Sequence, residues 1–272
     1  MLIDTHCHIH DSEFAEKSDQ TVDQILAEAS EAEVSQLVCV GTSERSSKEA
    51  VVFCGKYSQC YASLALHPHE VEAYSDSELA EQMNTLESLA DNKNVVAIGE
   101  TGLDYYYHSD ESIRERQKNV LKLHLELADK HNLPLIFHIR DPKDDSDGLG
   151  LAFADFFKVF DSFKNVRGVV HSFTATQTEL TGVIERGLFI GLNGIMTFTK
   201  DQKQLEAAKS VPLKQLVLET DAPFLTPAPF RGKICKPKHV RVTAEFLSEL
   251  RGESFDELAA QTTKNAKKLF TI

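Results

Sequence analysis

The chain has 272 residues, 42% hydrophobic and 26% charged, with 13 Gly and 8 Pro, a composition that excludes a disordered or fibrous chain and allows a sizeable core. Its 29 basic and 42 acidic residues leave a net charge of −13, which counts against a tight binder of duplex DNA but not against an enzyme whose bound cations place positive charge where a phosphate must sit. Five cysteines without a CxxC pair indicate neither a disulfide framework nor a thiolate zinc site. With no leader-like N-terminus and no apolar run of about 20 residues, a cytoplasmic protein with no membrane contact is expected.

Short runs rich in Val, Ile and Leu begin near Leu2, Val34, Tyr61, Asn94, Leu135, Gly168, Leu188 and Gln215, none broken by an internal proline. Helical stretches lie between them. Thr21 with Gln24 reads as a capping box, Ser75 to Leu89 is amphipathic, and Asp110 to His131 is long and charged before Pro134 restarts a strand. Val240 to Leu250 and Phe255 to Phe270 read as the last two helices, and no linker or internal repeat interrupts the chain. Repeated βα units with eight strands predict an α/β fold, the parallel (β/α)8 TIM barrel, filling 1–272 as one domain.

Titratable residues stand where barrel enzymes assemble their active sites, at the C-terminal ends of the strands. His6 and His8 end the first strand, Glu100 follows the fourth, His138 ends the fifth, His171 the sixth and Asp221 the eighth. Residues at i and i+2 share a strand face, so His6 and His8 point together. Alone, His-x-His is a weak signal, as easily two polar residues in a loop; joined by ligands at four other strand ends it marks a metal centre. A mixed His/carboxylate set suits zinc, manganese, cobalt, nickel or magnesium rather than a closed structural zinc site. Six ligands exceed the need of one catalytic ion with an open position, so two divalent ions about 3.5–4 Å apart, bridged by a carboxylate, are expected.

The segments Ile3-Asp4-Thr5-His6-Cys7-His8, Leu66-His67-Pro68-His69, Ile98 to Asp104, Phe137-His138-Ile139-Arg140-Asp141, Val170 to Thr174 and Leu218-Glu219-Thr220-Asp221-Ala222-Pro223 resemble the TatD family of metal-dependent deoxyribonucleases. The resemblance runs from end to end, in family order, and includes the last helix from Thr262 to Phe270. It implies an amidohydrolase-like barrel with divalent metals and DNase action, often 3′→5′ on single strands or strand ends. It also implies that His6, His8 and Asp221 hold one metal, His138 and His171 the other, and that Glu100 bridges them. Related amidohydrolase barrels place a carbamylated lysine at the bridge, and Glu100 there favours the TatD branch. After Arg231-Gly232 the family pattern has an Asn-x-Pro-like turn where this chain has Cys235-Lys236-Pro237, so no binding role is assigned to that turn.

The expected chemistry is phosphodiester hydrolysis in DNA by a metal-activated water, with Asp221 also accepting the water's proton and Glu100 as the second catalytic residue. His67 and the guanidinium forks of Arg140 and Arg231 are the candidate phosphate contacts, against the alternatives of a turn around Pro68 and of surface ion pairs. Asp104 reads as a turn residue bonding backbone amides. Among Tyr105, Tyr106 and Tyr107 one ring is a candidate for stacking on a base. His10, His108, His124, His131 and His239 read as surface or helix residues, and Asp141 to Gly148 as a solvated acidic loop rather than a calcium loop. No long Lys/Arg stripe is visible, so a grip of about two to four nucleotides is expected, with no obligate protein partner. Two rivals stand beside this reading: an ester or amide hydrolase, for example on an aminoacyl linkage, and a non-catalytic metal- or nucleic-acid-binding scaffold.

Overall fold

The computed structural model describes residues 1–108, 110–143 and 150–272. Eight parallel strands lie in chain order in one sheet: β1 (Leu2–Cys7), β2 (Val34–Val40), β3 (Cys60–Leu64), β4 (Val95–Asp104), β5 (Leu135–Arg140), β6 (Gly168–Val170), β7 (Phe189–Leu192) and β8 (Leu216–Leu218). The sheet closes on itself above β8, where Cys7 bridges Ala222, the Asp221 N–H donates to His6 O (2.8 Å) and the His8 N–H donates to Ala222 O (2.7 Å). This is the expected (β/α)8 barrel.

The helices are α1 (Ser12–Lys17), α2 (Val22–Glu31), α3 (Glu44–Cys54), α4 (Asp76–Leu89), α5 (Glu111–His131), α6 (Leu151–Phe160), α7 (Gln177–Glu185), α8 (Gln202–Ser210), α9 (Val240–Arg251) and α10 (Phe255–Phe270). Their ends follow the sequence signals. The Thr21 hydroxyl accepts the Gln24 N–H while the Gln24 side chain accepts the Thr21 N–H, a reciprocal cap that satisfies two otherwise orphaned donors of α2. Asn132, at φ 52°, turns the chain out of α5 in the left-handed region that Asn tolerates, two residues before Pro134. None of the helices among the described residues is long and apolar enough to cross a membrane.

Alternate strand residues fill the barrel interior, among them Ile3, Val38, Ile136, Val169 and Val217, and Leu269 and Phe270 of α10 close it from below. Asn265 fixes that plug by donating to Leu213 O and Leu216 O, both at 2.7 Å. A larger apolar shell, in which Phe137, Phe156 and Phe160 pack edge to face, binds the helices to the outside of the strands. With Leu269 and Phe270 closing the lower end, the strand-end residues stand at the open upper mouth.

Two local departures shape that mouth. Glu100 does not follow β4 but lies inside it, because the strand continues to Asp104. The continuation needs Gly102 at φ +150°, where a Cβ would stand 1.9 Å from His138 O, so β4 and β5 approach more closely than a side chain permits. The acidic loop expected at Asp141 to Gly148 falls mainly on residues 144–149, which lie outside the described residues.

Candidate metal centre

Asp4 builds the frame on which β1 and β8 present their ligands. It is buried, and its Oδ1 accepts the N–H groups of His6 (3.3 Å) and Thr220 (2.9 Å) while Oδ2 accepts the Thr220 hydroxyl (2.6 Å). Burial pushes its pKa up to about 8 against those hydrogen bonds. This tie sets His6, His8 and Asp221 side by side, with Asp221 at φ 61°, a left-handed conformation that aspartate tolerates.

The upper mouth brings the six expected ligands together about one carboxylate, in three overlapping groups of atoms close enough to share a cation: His6 and His8 with Glu100, His6 and His171 with Asp221, and His138 and His67 with Glu100. His6 Nε2 lies 3.2 Å from His8 Nε2, 3.4 Å from Glu100 Oε2 and 3.6 Å from Asp221 Oδ1, and His8 Nε2 lies 3.3 Å from the same Asp221 oxygen. On the other side, Glu100 Oε1 lies 2.8 Å from His138 Nδ1, 3.1 Å from His171 Nε2 and 3.5 Å from His67 Nε2. The two oxygens of Glu100 therefore face different imidazole sets. Such nitrogen and oxygen donors, converging at these separations in a buried pocket, fit divalent cations.

Hydrogen bonds at the far side of each ring decide which nitrogen is free for a cation. His8 Nδ1–H donates to Val40 O (2.8 Å), so Nε2 is the lone-pair atom facing Asp221. His138 Nε2–H donates to Asp104 Oδ2 (3.0 Å) and leaves Nδ1 toward Glu100, whereas His171 Nδ1–H donates to Glu219 Oε1 (3.1 Å) and leaves Nε2 toward Glu100. His67 differs. Its Nδ1 accepts the His69 N–H (3.2 Å), so the ring proton sits on Nε2 and the residue offers a donor, not a lone pair, to the centre.

Electrostatics mark the same centre. Burial opposes charge on His171, but Glu100 and Glu219 override it and hold its pKa well above the ordinary imidazole range. Glu100 is likewise pressed upward by burial and pulled well below the usual carboxylate range by His171, His67 and His6. His6 is pushed down by burial and by His171, on whose ring it stacks at 3.8 Å, and its Nδ1 has no hydrogen-bond partner among the described residues. His67 falls to about 4 through burial, which keeps it a neutral donor near pH 7. Carboxylates crowded among buried imidazoles create a demand for positive charge that divalent ions meet.

Two residues outside the expected ligand set, Glu219 and Asp104, hold the ligand rings in place. Glu219 is buried, accepts from His171, from the Ser172 N–H (2.6 Å) and from Asn193 Nδ2 (3.4 Å), and fits because position 191 is glycine, whose Cβ would stand 2.4 Å from Glu219 Oε2. Its spacing of two from Asp221, the rule that paired His6 with His8, is the sequence signal that could have found it. Asp104 does accept the Tyr106 N–H (3.0 Å), as its turn role requires, but its other oxygen faces both His138 and His69 at 3.0 Å. Burial alone would raise Asp104, and hydrogen bonds from those two rings instead hold it well below the usual carboxylate range. Because these contacts set ring orientation, Glu219→Gln and Asp104→Asn should each weaken metal binding by roughly 10–100-fold in a competition titration with a metal indicator. Unchanged affinity in both variants would contradict the orienting role.

A cavity of about 890 Å³ opens above the ligands and includes His67, Arg140, Tyr107 and Phe224 in its lining. Arg140 lies over the Tyr106 ring (3.8 Å to the centroid) at its edge. Arg231 is not in that lining; its guanidinium packs on Phe198 (3.8 Å) and donates to Thr226 O (2.8 Å). Of the three tyrosines, Tyr105 is buried with its hydroxyl donating to Asp155, and Tyr107 is the exposed ring at the cavity. His10 is not a surface residue: it is buried and bonds Ser46 Oγ (3.1 Å). His124 is helical as expected but fully buried, accepting the Leu66 N–H (3.0 Å).

A parallel barrel with this His/carboxylate cluster at its upper mouth is the architecture of a metal-dependent hydrolase. The particular family follows from comparison: the TatD-related DNase model matches residues 3–271, and the chain belongs to that family. It is 34% identical over 272 residues to the metal-dependent hydrolase YabD of Bacillus subtilis, covering 100% of both chains. It is 32% identical to the 3′-5′ ssDNA/RNA exonuclease TatD of Erwinia tasmaniensis, covering 92% of this chain and 93% of that one. The crystal structure of the TatD homologue YjjV from Escherichia coli superposes with a TM-score of 0.86 at 29% identity, covering 100% of this chain and 98% of that one.

Proposed function

We propose that this hydrolase is a deoxyribonuclease that uses two divalent ions, zinc, magnesium, manganese, nickel or cobalt, to remove nucleotides from the 3′ end of single-stranded DNA. The observation that carries the reading is the split of Glu100, with Oε2 toward His6 and Oε1 toward His138 and His171. A carboxylate with one oxygen toward His6 and the other toward His138 and His171 would suit a pair of divalent ions, which would supply charge stabilisation for a displacement at phosphorus. The name of the Erwinia relative supports the substrate class and the polarity.

Bound divalent ions supply Lewis acidity at the phosphoryl group and make water more acidic. The chain's own groups do the rest. His6, His8 and Asp221 hold one side of the centre, His138 and His171 the other, and Glu100 joins them. Asp221, with Oδ1 beside the two β1 imidazoles, is placed to take the proton from the attacking water. His67, whose Nε2–H faces Glu100 Oε1 at 3.5 Å beside the cavity, is the donor nearest the centre for a developing phosphoryl charge, and Arg140 lines the cavity with a guanidinium fork for a second phosphate.

His67→Ala tests the donor role. The expected result is a fall in kcat of about a hundredfold, the cost of losing one aimed donor, with metal content per chain unchanged. Loss of an ion in that variant would make His67 a ligand instead.

The substrate reading is tested by offering single-stranded DNA labelled at either end, nicked and covalently closed duplexes, and carboxyl-ester and amide substrates to the metal-loaded protein. Stepwise shortening from the 3′ end is expected. Rapid cutting of closed circles would remove the requirement for an end, and turnover of an ester or amide with DNA intact would favour the carbonyl-hydrolase alternative.

A further inference from the structure

The loop that follows Asp221 has two faces. Residues 223–225 line the metal cavity, whereas 230, 232–234 and 236 line a second cavity of about 670 Å³. The loop is folded back on itself, with the Cys235 N–H donating to Pro223 O (3.0 Å) and the Thr226 hydroxyl to Lys233 O (2.6 Å), so both cavities border one rigid segment. No step of the proposed hydrolysis uses the second.

Its lining is basic in an acidic chain: Lys233, Lys236, Lys238 and Arg241 stand against the single carboxylate Asp19. Carboxylates behind the wall offset part of this charge. Arg241 is held by Glu33 (2.6 Å) and Glu245 (2.9 Å), while Lys236 and Lys238 share the one carboxylate of Glu28 at 3.7 and 3.0 Å. Lys233 has no carboxylate partner among the described residues. The three lysines face two carboxylates, Asp19 in the lining and Glu28 behind it, while Arg241 is offset by Glu33 and Glu245.

His239 adds a donor. It is 6% exposed, lines the cavity, and its Nδ1 accepts the Lys236 N–H (3.0 Å), which puts the ring proton on Nε2, an atom without a hydrogen-bond partner among the described residues. Burial first, then the charges of Lys238 and Lys236, hold its pKa at about 4, so it stays a neutral N–H donor. The Phe230 ring stacks on that imidazole at 5.2 Å and 25°, and is 36% exposed. Lysines for phosphates, a buried N–H donor and an exposed aromatic face are the parts from which single-strand sites are made.

We propose that this cavity is a second contact site for single-stranded nucleic acid, binding the phosphodiester backbone of the strand that extends from the metal cavity across the loop. The proposal rests on the nuclease reading above, and it extends the contact beyond the two to four nucleotides expected from sequence. Of the turn at Cys235-Lys236-Pro237, given no binding role from sequence, Lys236 stands in the cavity lining.

The test uses the full-length, metal-loaded protein and a fluorescent single-stranded 20-mer of phosphorothioate DNA, which keeps its charge and resists cleavage. Replacing Lys233, Lys236 and Lys238 together by alanine should raise Kd at least tenfold and make the log–log salt slope shallower by about 2, three contacts at about 0.7 each. Glu28→Gln removes the carboxylate that two of these lysines share and should lower Kd about threefold. Equal binding by a triple variant with an unchanged melting curve overturns the proposal; should that variant fail to fold, equal or weaker binding by Glu28→Gln overturns it. Inorganic phosphate that binds the wild type but not the triple variant, with the 20-mer binding both alike, would make the cavity a small-anion site and overturn it too. Loss of 20-mer binding in the triple variant, in a protein that hydrolyses no DNA, would sink the nuclease reading and leave the second site standing.

Discussion

Glu100→Ala is expected to lower kcat/KM on single-stranded DNA by at least about a thousandfold, the upper end of the cost of removing one preorganised electrostatic group. The reason is its position between two sets of ligands: Oε2 faces His6 and Oε1 faces His138 and His171. Removing it leaves His6, His138 and His171 without the carboxylate that lies between them, so both cation sites weaken together. His171→Ala removes a nitrogen from one side only. It should reduce occupancy mainly of the second ion and leave His6, His8 and Asp221 holding the first. Metal content by atomic emission, after dialysis against a weak chelator, distinguishes the two variants. Two tightly held ions in Glu100→Ala would contradict the bridging assignment.

Much of this centre was legible before any coordinates. Barrel strands announce themselves as short β-branched runs, and the barrel architecture requires chemistry at their C-terminal ends, so six candidate ligands could be named from position alone. Those six side chains meet in the mouth, as their strand-end positions predict. What sequence could not supply is what the rings touch behind. Whether His67 offers a lone pair or a proton depends on the N–H of His69, and whether His138 presents Nδ1 depends on Asp104, contacts made by backbone geometry rather than by residue type.

Two other features depend on tertiary structure that sequence does not show. Arg231 follows the Asp221 loop in sequence, yet the loop folds back and lays its guanidinium on Phe198, outside the metal cavity. The basic cavity was invisible because its lysines are spaced over residues 233–238 with no helical or strand period, and only the fold sets them beside His239, Phe230 and the end of α2. Glu219 was a different kind of miss, since the alternation that paired His6 with His8 also places it with Asp221 on one face.

The central claim is that hydrolysis runs on divalent ions held by His6, His8, Glu100, His138, His171 and Asp221. These groups form a buried cluster of carboxylates and imidazoles with no aliphatic function to serve, and metal binding to such ligands is lost when a stronger chelator competes. The most direct measurement is the rate of release of the 3′-terminal nucleotide from labelled single-stranded DNA by protein stripped with EDTA, confirmed metal-free, and then titrated with one divalent ion at a time. The account predicts no detectable release by the stripped protein and full recovery as the added ion approaches two per chain. Undiminished release by the confirmed metal-free protein would contradict it.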